Sequence, residues 1–185
     1  MFPVNLLDHR LAVAQAPGDF IQRRSIQKTQ THLLQIQAYS PLEGSGKDRP
    51  MYIPKQFAEN DLTILQAAIK SLQFATIITL NDTSLSASHI PMLIDDTAGK
   101  YGTLEGHIAR ANPQWNSYAK AVPALAIFTG PNAYISPSWY ATKKEHGKAV
   151  PTWNYIAVHA SGPLEIVEDR NWLLDHVNRL TNRNE

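Results

Sequence analysis

Residues 74–108 read Phe74-Ala-Thr-Ile-Ile-Thr-Leu-Asn-Asp-Thr-Ser-Leu-Ser-Ala-Ser-His-Ile-Pro-Met-Leu-Ile-Asp-Asp-Thr-Ala-Gly-Lys-Tyr-Gly-Thr-Leu-Glu-Gly-His-Ile108, and this stretch decides the fold. Phe74 to Leu80 is rich in β-branched residues, the composition of a buried strand. Ser84 to Ile94 alternates loosely and reads as a second strand. Asp95-Asp-Thr-Ala-Gly99 is turn chemistry, and Tyr101 to Ile108 returns as a third strand whose register that turn fixes. Strands joined by turns rather than by helices make an antiparallel meander.

Upstream, Asp61 is a helix cap, with Leu62, Leu65, Ile69 and Leu72 forming one apolar stripe behind it. Downstream, Asn112-Pro113 starts a short helix ending near Lys120. Ala124 to Thr129 and Ala133 to Ser136 are two strands separated by Gly130-Pro131. Residues 141–150 form a polar loop. Trp153 to Gly162 is a further strand, continued or paired by Leu164 to Val167. A last helix runs from Asp169 to Arg179 with Trp172, Leu173 and Val177 on one side. The expected fold is mainly β with flanking helices, an antiparallel barrel.

The 185 residues support one domain with a sizeable core. Charged residues make up 18% and the net charge is +1, an ordinary globular balance that does not favour broad nucleic-acid binding. With no cysteine, thiolate metal sites, disulfides and Cys nucleophiles are excluded. No stretch approaches a membrane span. Met1-Phe-Pro-Val-Asn5 is not a charged leader before an apolar run, so a cytoplasmic protein is the default. Composition changes near residue 50: all four Trp follow Met51, and Pro41 to Pro50 is rich in Gly, Pro, Ser and charge. Residues 1–50 therefore read as an N-terminal extension, weakly structured or supplying an added strand at Thr31 to Tyr39, and as dispensable for a barrel domain at 51–185.

Three clusters carry chemistry. In Gly102 to Trp115 a strand ends in His107 and Arg110 before the Asn112 cap. Cations beside unpaired N–H groups form an anion site. Equally, Arg110 could brace the barrel through a carboxylate such as Glu105. In Ala133 to Tyr140, followed by Lys143, Lys144, His146 and Lys148, aromatics beside hydroxyls and a cationic loop suit a planar, phosphorylated ligand; a core or a dimer interface would use the same aromatics. In Pro151 to Ala160, alternation puts Trp153, Tyr155, Ala157 and His159 on one face and Thr152, Asn154 and Ile156 on the other. His159 reads best as a hydrogen-bonded strand histidine. The seven His are scattered, without metal-ligand spacing.

Taken together, the phrases Met51-Tyr-Ile-Pro-Lys-Gln-Phe57, Ser88-His-Ile-Pro-Met-Leu-Ile-Asp95, Gly106-His-Ile-Ala-Arg-Ala-Asn-Pro-Gln-Trp115, Ala133-Tyr-Ile-Ser-Pro-Ser-Trp-Tyr140 and Val150-Pro-Thr-Trp-Asn-Tyr155 closely resemble the PaiB family of FMN-binding negative transcriptional regulators. The resemblance covers roughly 51–185. It implies an FMN-binding split β-barrel of the pyridoxamine-phosphate-oxidase-like class and a homodimer with FMN at the subunit interface. It further implies His107 and Arg110 as phosphate-side residues, Asn112 shaping the helix start, Ser136, Ser138, Trp139 and Tyr140 lining the flavin, and Lys144, Thr152 and Trp153 completing the cleft. Family members start at the position of Met51 and run past that of Glu185, into a strand and a Gly-Lys-x-Lys-x-Ser-Gln-Asn-Arg motif. Ala14-Gln-Ala-Pro-Gly-Asp-Phe-Ile21 and Leu42-Glu-Gly44 faintly echo that C-terminal part, as a permuted or rearranged chain would.

The expected function is thus a flavin-binding regulator. The alternatives are a flavin-dependent oxidoreductase and a cofactor-free interaction protein. DNA is a conceivable partner, but no helix-turn-helix is recognisable.

Overall fold

The computed structural model describes residues 31–37 (as backbone), 53–54, 57–140, 143, 145, 147 and 150–185. Seven strands make up the sheet: β1 Thr31–Gln37, β2 Phe74–Leu80, β3 Leu85–Asp95, β4 Thr103–Ala109, β5 Ala124–Ile135, β6 Thr152–Gly162 and β7 Leu164–Val167. Helices α1 Leu62–Leu72 and α2 Arg170–Asn184 flank it. The strand order is β6-β5-β2-β3-β4-β1-β7, and every pairing is antiparallel.

Two features curl this sheet into a split barrel. β3 serves two partners in succession: Leu85 to Pro91 pair with β2, and Met92 to Asp95 pair with β4. The two ends of the strand order, β6 and β7, are joined through Pro163 alone. The inward face follows period-2 alternation. Ala75 and Ile77 of β2, Ala124, Ala126 and Phe128 of β5, and Val158 and Ala160 of β6 meet Ile90, Met92, Leu104 and Ile108 in one buried cluster. Asp61 caps α1 as its sequence predicts, accepting from the Thr63 and Ile64 amides. Ile69 is the buried residue on its inner face, with Leu65, Ala68 and Leu72 packed against the same core.

β4 departs from simple alternation, since Thr103, Leu104, Glu105, Gly106 and Ile108 are all buried. Leu104 and Ile108 face the core, while Glu105 and His107 on the opposite face meet α2.

Three expectations need correction. The two strands predicted around Gly130-Pro131 are one strand, β5. Thr129 pairs with Ala157 and Asn132 with Tyr155, so Gly130 and Pro131 together oppose Ile156 in a bulge. A bulge tolerates the missing Pro N–H, and a Cβ at Gly130 would come within 3.1 Å of Ile156 Cβ. The helix predicted from Asn112 to Lys120 is a single 3-10 turn, Pro113–Trp115. The last helix runs on to Asn184, and the residue it buries is His176, while Val177 faces outward.

β1 lies within the N-terminal segment. It pairs with β4 from Thr31↔Ala109 to Gln37↔Thr103 and with β7 from Leu33↔Val167 to Ile36↔Leu164.

Candidate functional site

The candidate residues fall into two groups. The first lies at the C-terminal end of β4. His107 is half-buried, and its Nδ1 is 3.2 Å from Nε2 of His176 on α2. The two rings meet edge to face, and the indole of Trp172 stacks on His176 at 5.4 Å and 10°. Burial pushes the His107 pKa down. His176 is pushed down to about 4, first by burial and then by the repulsion that a protonated His107 and the Arg179 guanidinium would exert on its charged form. Both imidazoles are therefore neutral at pH 7.

Arg110 follows in the turn after β4. Trp115 donates its indole N–H to the Arg110 carbonyl at 2.9 Å, which fixes the backbone there. The Arg110 guanidinium lies 3.4 Å from Glu168, with both side chains well exposed. A pair this long and wet is worth little, so an incoming anion can compete for the guanidinium. Glu105, the partner considered from the sequence, serves Arg179 instead, at 2.6 Å.

Asn112 is not the cap of a long helix. Its Oδ1 accepts from the Gln114 amide at 3.0 Å and its Nδ2 donates to Ser88 Oγ at 2.8 Å, tying the turn to β3. Gln114 drives its buried amide into the sheet, where Nε2 donates toward Ile77 O, Thr79 Oγ1 and Ser86 O. Those bonds hold Pro113–Trp115 as one turn. A turn this short offers no helical dipole to an anion, which leaves Arg110 and His107 as the donor side chains at this end of β4.

The second group surrounds the mouth of the β5–β6 hairpin. Ile135 pairs with Thr152 and Tyr134 with Trp153, so the hairpin brings Ser136 up to the start of β6. Ser136 caps the 3-10 turn Pro137–Trp139 by accepting from the Ser138 amide, and the two hydroxyls lie 2.7 Å apart. Trp139 is 71% exposed and Trp153 58%, with Tyr134 packed 6.0 Å from the Trp153 ring and Asn132 accepting its indole N–H. Tyr140 follows the turn, also exposed. Lys144, the remaining candidate here, lies outside the described residues.

In the strand order β2 and β3 stand between the two groups. Beside the first group opens a cleft of about 580 Å³, lined by Trp115, Tyr118, Lys120, Leu164, Ile166 and Glu168 among others. Sequence reasoning missed Glu168 and His176. Both belong to segments whose local pattern carries no sign of a partner 58 or 69 residues away. Among the described residues no cluster of three His, Cys, Asp or Glu could hold a metal ion, and no helix is long and apolar enough to cross a membrane.

Comparison with known proteins matches residues 51–185 to the family described as "Putative FMN-binding domain". The chain is 36% identical over 118 residues to the protease synthase and sporulation protein PAI 2 of Bacillus subtilis, covering 64% of this chain and 54% of that protein. It is 29% identical over 154 residues to an uncharacterized protein of Saccharomyces cerevisiae, covering 73% and 90% respectively. An uncharacterized protein of Emericella nidulans is 33% identical over 145 residues, covering 64% and 58%. The chain thus spans about half the length of the Bacillus protein.

Proposed function

We propose that this chain, which belongs to the PaiB-like FMN-binding-domain family, binds FMN and acts as a flavin-dependent negative regulator of transcription. The observation that carries the flavin reading is the hairpin mouth. Two hydroxyls 2.7 Å apart stand beside indoles left largely open to solvent. A planar isoalloxazine fits that chemistry: its faces stack on Trp139 or Trp153, and its carbonyls and ring nitrogens accept from Ser136, Ser138 and Thr152. Tyr140 and Lys144 complete this side. Arg110 and the half-buried His107 supply donors for the phosphate, with Asn112 holding the turn that carries Arg110. FMN, when bound, supplies electron transfer through its ring.

A homodimer follows from the same reading. Trp139 and Val150 in the segment joining β5 to β6, and Trp153 and Tyr155 on β6, are each more than half exposed. A second copy would cover that apolar surface, and would bring the hairpin mouth of one protomer to the β4 end of the other. The regulatory part rests on the likeness to the PaiB family. Control through the dimer surface suits a chain of net charge +1 better than direct reading of DNA.

An absorption spectrum of the purified protein before and after FMN addition tests the flavin reading. The expected result is a shifted, structured flavin band that stays with the protein through gel filtration. Free FMN emerging entirely in the small-molecule fraction would refute it.

A further inference from the structure

His176 is fully buried, yet only one of its ring nitrogens is engaged. Nε2 lies 3.2 Å from His107 Nδ1, and Nδ1 finds no partner among the described residues. The two imidazoles are joined by one N–H···N bond, so one ring must donate and the other accept. The choice decides the protonation pattern of both rings.

If His107 donated from Nδ1, His176 would accept at Nε2 and carry its own proton on Nδ1. That N–H would be buried without an acceptor, an arrangement that folded proteins rarely leave in place. If His176 donates from Nε2, its bare Nδ1 holds only a lone pair, a milder loss. His107 then accepts at Nδ1 and carries its proton on Nε2. Charging both rings would set two N–H groups against each other.

We infer that His176 is a positioning residue for the proposed anion site: its Nε2–H bond to Nδ1 fixes His107 in the tautomer that carries its own proton on Nε2, as a donor. This rests on the phosphate-side reading of His107 given above, and deepens it. Among the described residues the charged groups facing the pair are Glu105 on β4 and Asp175 and Arg179 on α2, and the one guanidinium is shared between the two carboxylates. Arg179 bonds Glu105 at 2.6 Å and Asp175 at 2.7 Å. Trp172 closes the far side of His176. The low pKa of His176 agrees with a ring that stays neutral. Neutral His107 can then act only as a hydrogen-bond donor, and Arg110 carries the positive charge.

The test uses the full chain, without ligand, and reads imidazole nitrogens by 15N NMR at pH 7. The expected result is His107 protonated at Nε2 and bare at Nδ1. His176→Gln keeps an amide N–H near the lost Nε2 and should preserve that signature. His176→Leu should release His107 into a mixture of tautomers. FMN affinity should fall roughly tenfold in His176→Leu and recover in His176→Gln, with riboflavin unaffected. A wild-type His107 protonated at Nδ1 would overturn the inference, as would a folded His176→Leu with an unchanged His107 signature. If His176→Leu fails to fold, the wild-type and His176→Gln spectra decide. If no variant binds FMN while the tautomer is as expected, the FMN reading fails and the positioning of His107 stands.

Discussion

The guanidinium of Arg179 on α2 lies 2.6 Å from Glu105, a carboxylate only 7% exposed on β4. This bond and the His107–His176 contact fasten a largely polar helix to the outer face of the barrel. Removing Arg179 would leave a buried carboxylate unpaired, the costly half of breaking an ion pair. Arg179 is partly exposed, which lowers the figure. Arg179→Met should destabilise the protein by about 1–2 kcal/mol, and Glu105→Gln by less, because the amide can still accept from Arg179. Urea denaturation measures both. Equal midpoints for Arg179→Met and the wild type would show that the helix does not depend on this bond.

Stability should fall as the solution is acidified from about pH 6.5 to about pH 4. His176 has a folded pKa of about 4, below the ordinary histidine value of 6.5. Between those values the unfolded chain takes up a proton that the folded chain refuses. The contribution is complete above pH 6.5 and is lost as pH falls, to a limit of about 3 kcal/mol. The lowered pKa of Asp95, held by hydrogen bonds from Thr97, adds a loss only below the ordinary carboxylate range. His176→Gln should flatten the profile between pH 4 and 6.5 in denaturant titrations. A slope unchanged by that substitution would place the acid sensitivity elsewhere.

Trp139 is offered as a stacking surface for the flavin ring, so its loss should not depend on the phosphate. Trp139→Ala should weaken FMN and riboflavin by similar factors, about fivefold to tenfold. The side chain is 71% exposed, so thermal unfolding of the unliganded chain should barely change. Selective loss of FMN alone, read by fluorescence titration, would put Trp139 on the phosphate side instead.

Much of this was legible in the residues themselves. The strands from Phe74 to Ile108 announce themselves by β-branched runs and a turn. Asp61 caps α1 because its carboxylate can reach the Thr63 and Ile64 amides, a strictly local relation. What stayed hidden depends on distant partners. Gly130-Pro131 is turn chemistry in isolation, and only Ile156 across the ladder makes it a bulge. Asn112-Pro113 is a sound helix start, but the buried bonds of Gln114 to β2 and β3 stop the helix after one turn. His176 sits on a helix whose other residues are mostly solvated, and nothing in that local pattern shows that β4 buries it. At the candidate site the residue types on each group could be read, but the bonds of His107 to His176 and Arg110 to Glu168 could not.

β1 bears on how residues 1–50 relate to the barrel. In the strand order it lies between β4 and β7 and is the neighbour that holds β7. Residues 51–185 expressed alone would leave β4 and β7 with bare edges. They should unfold at lower denaturant with reduced cooperativity, or associate through those edges. Light scattering and urea denaturation of 51–185 beside the full chain check this. Matching midpoints and slopes would show that the barrel closes without β1.

Isothermal titration of FMN and riboflavin into the wild-type chain and into Arg110→Ala tests most directly the claim that this barrel holds FMN with its phosphate at the end of β4. A hydrogen bond to a charged group contributes about 1.5–3 kcal/mol, so the wild type should prefer FMN over riboflavin by roughly tenfold to a hundredfold. Arg110→Ala should lose that preference and keep its affinity for riboflavin. Equal affinities of the wild type for the two ligands, or an Arg110→Ala variant that folds and still prefers FMN to the same degree, would contradict it.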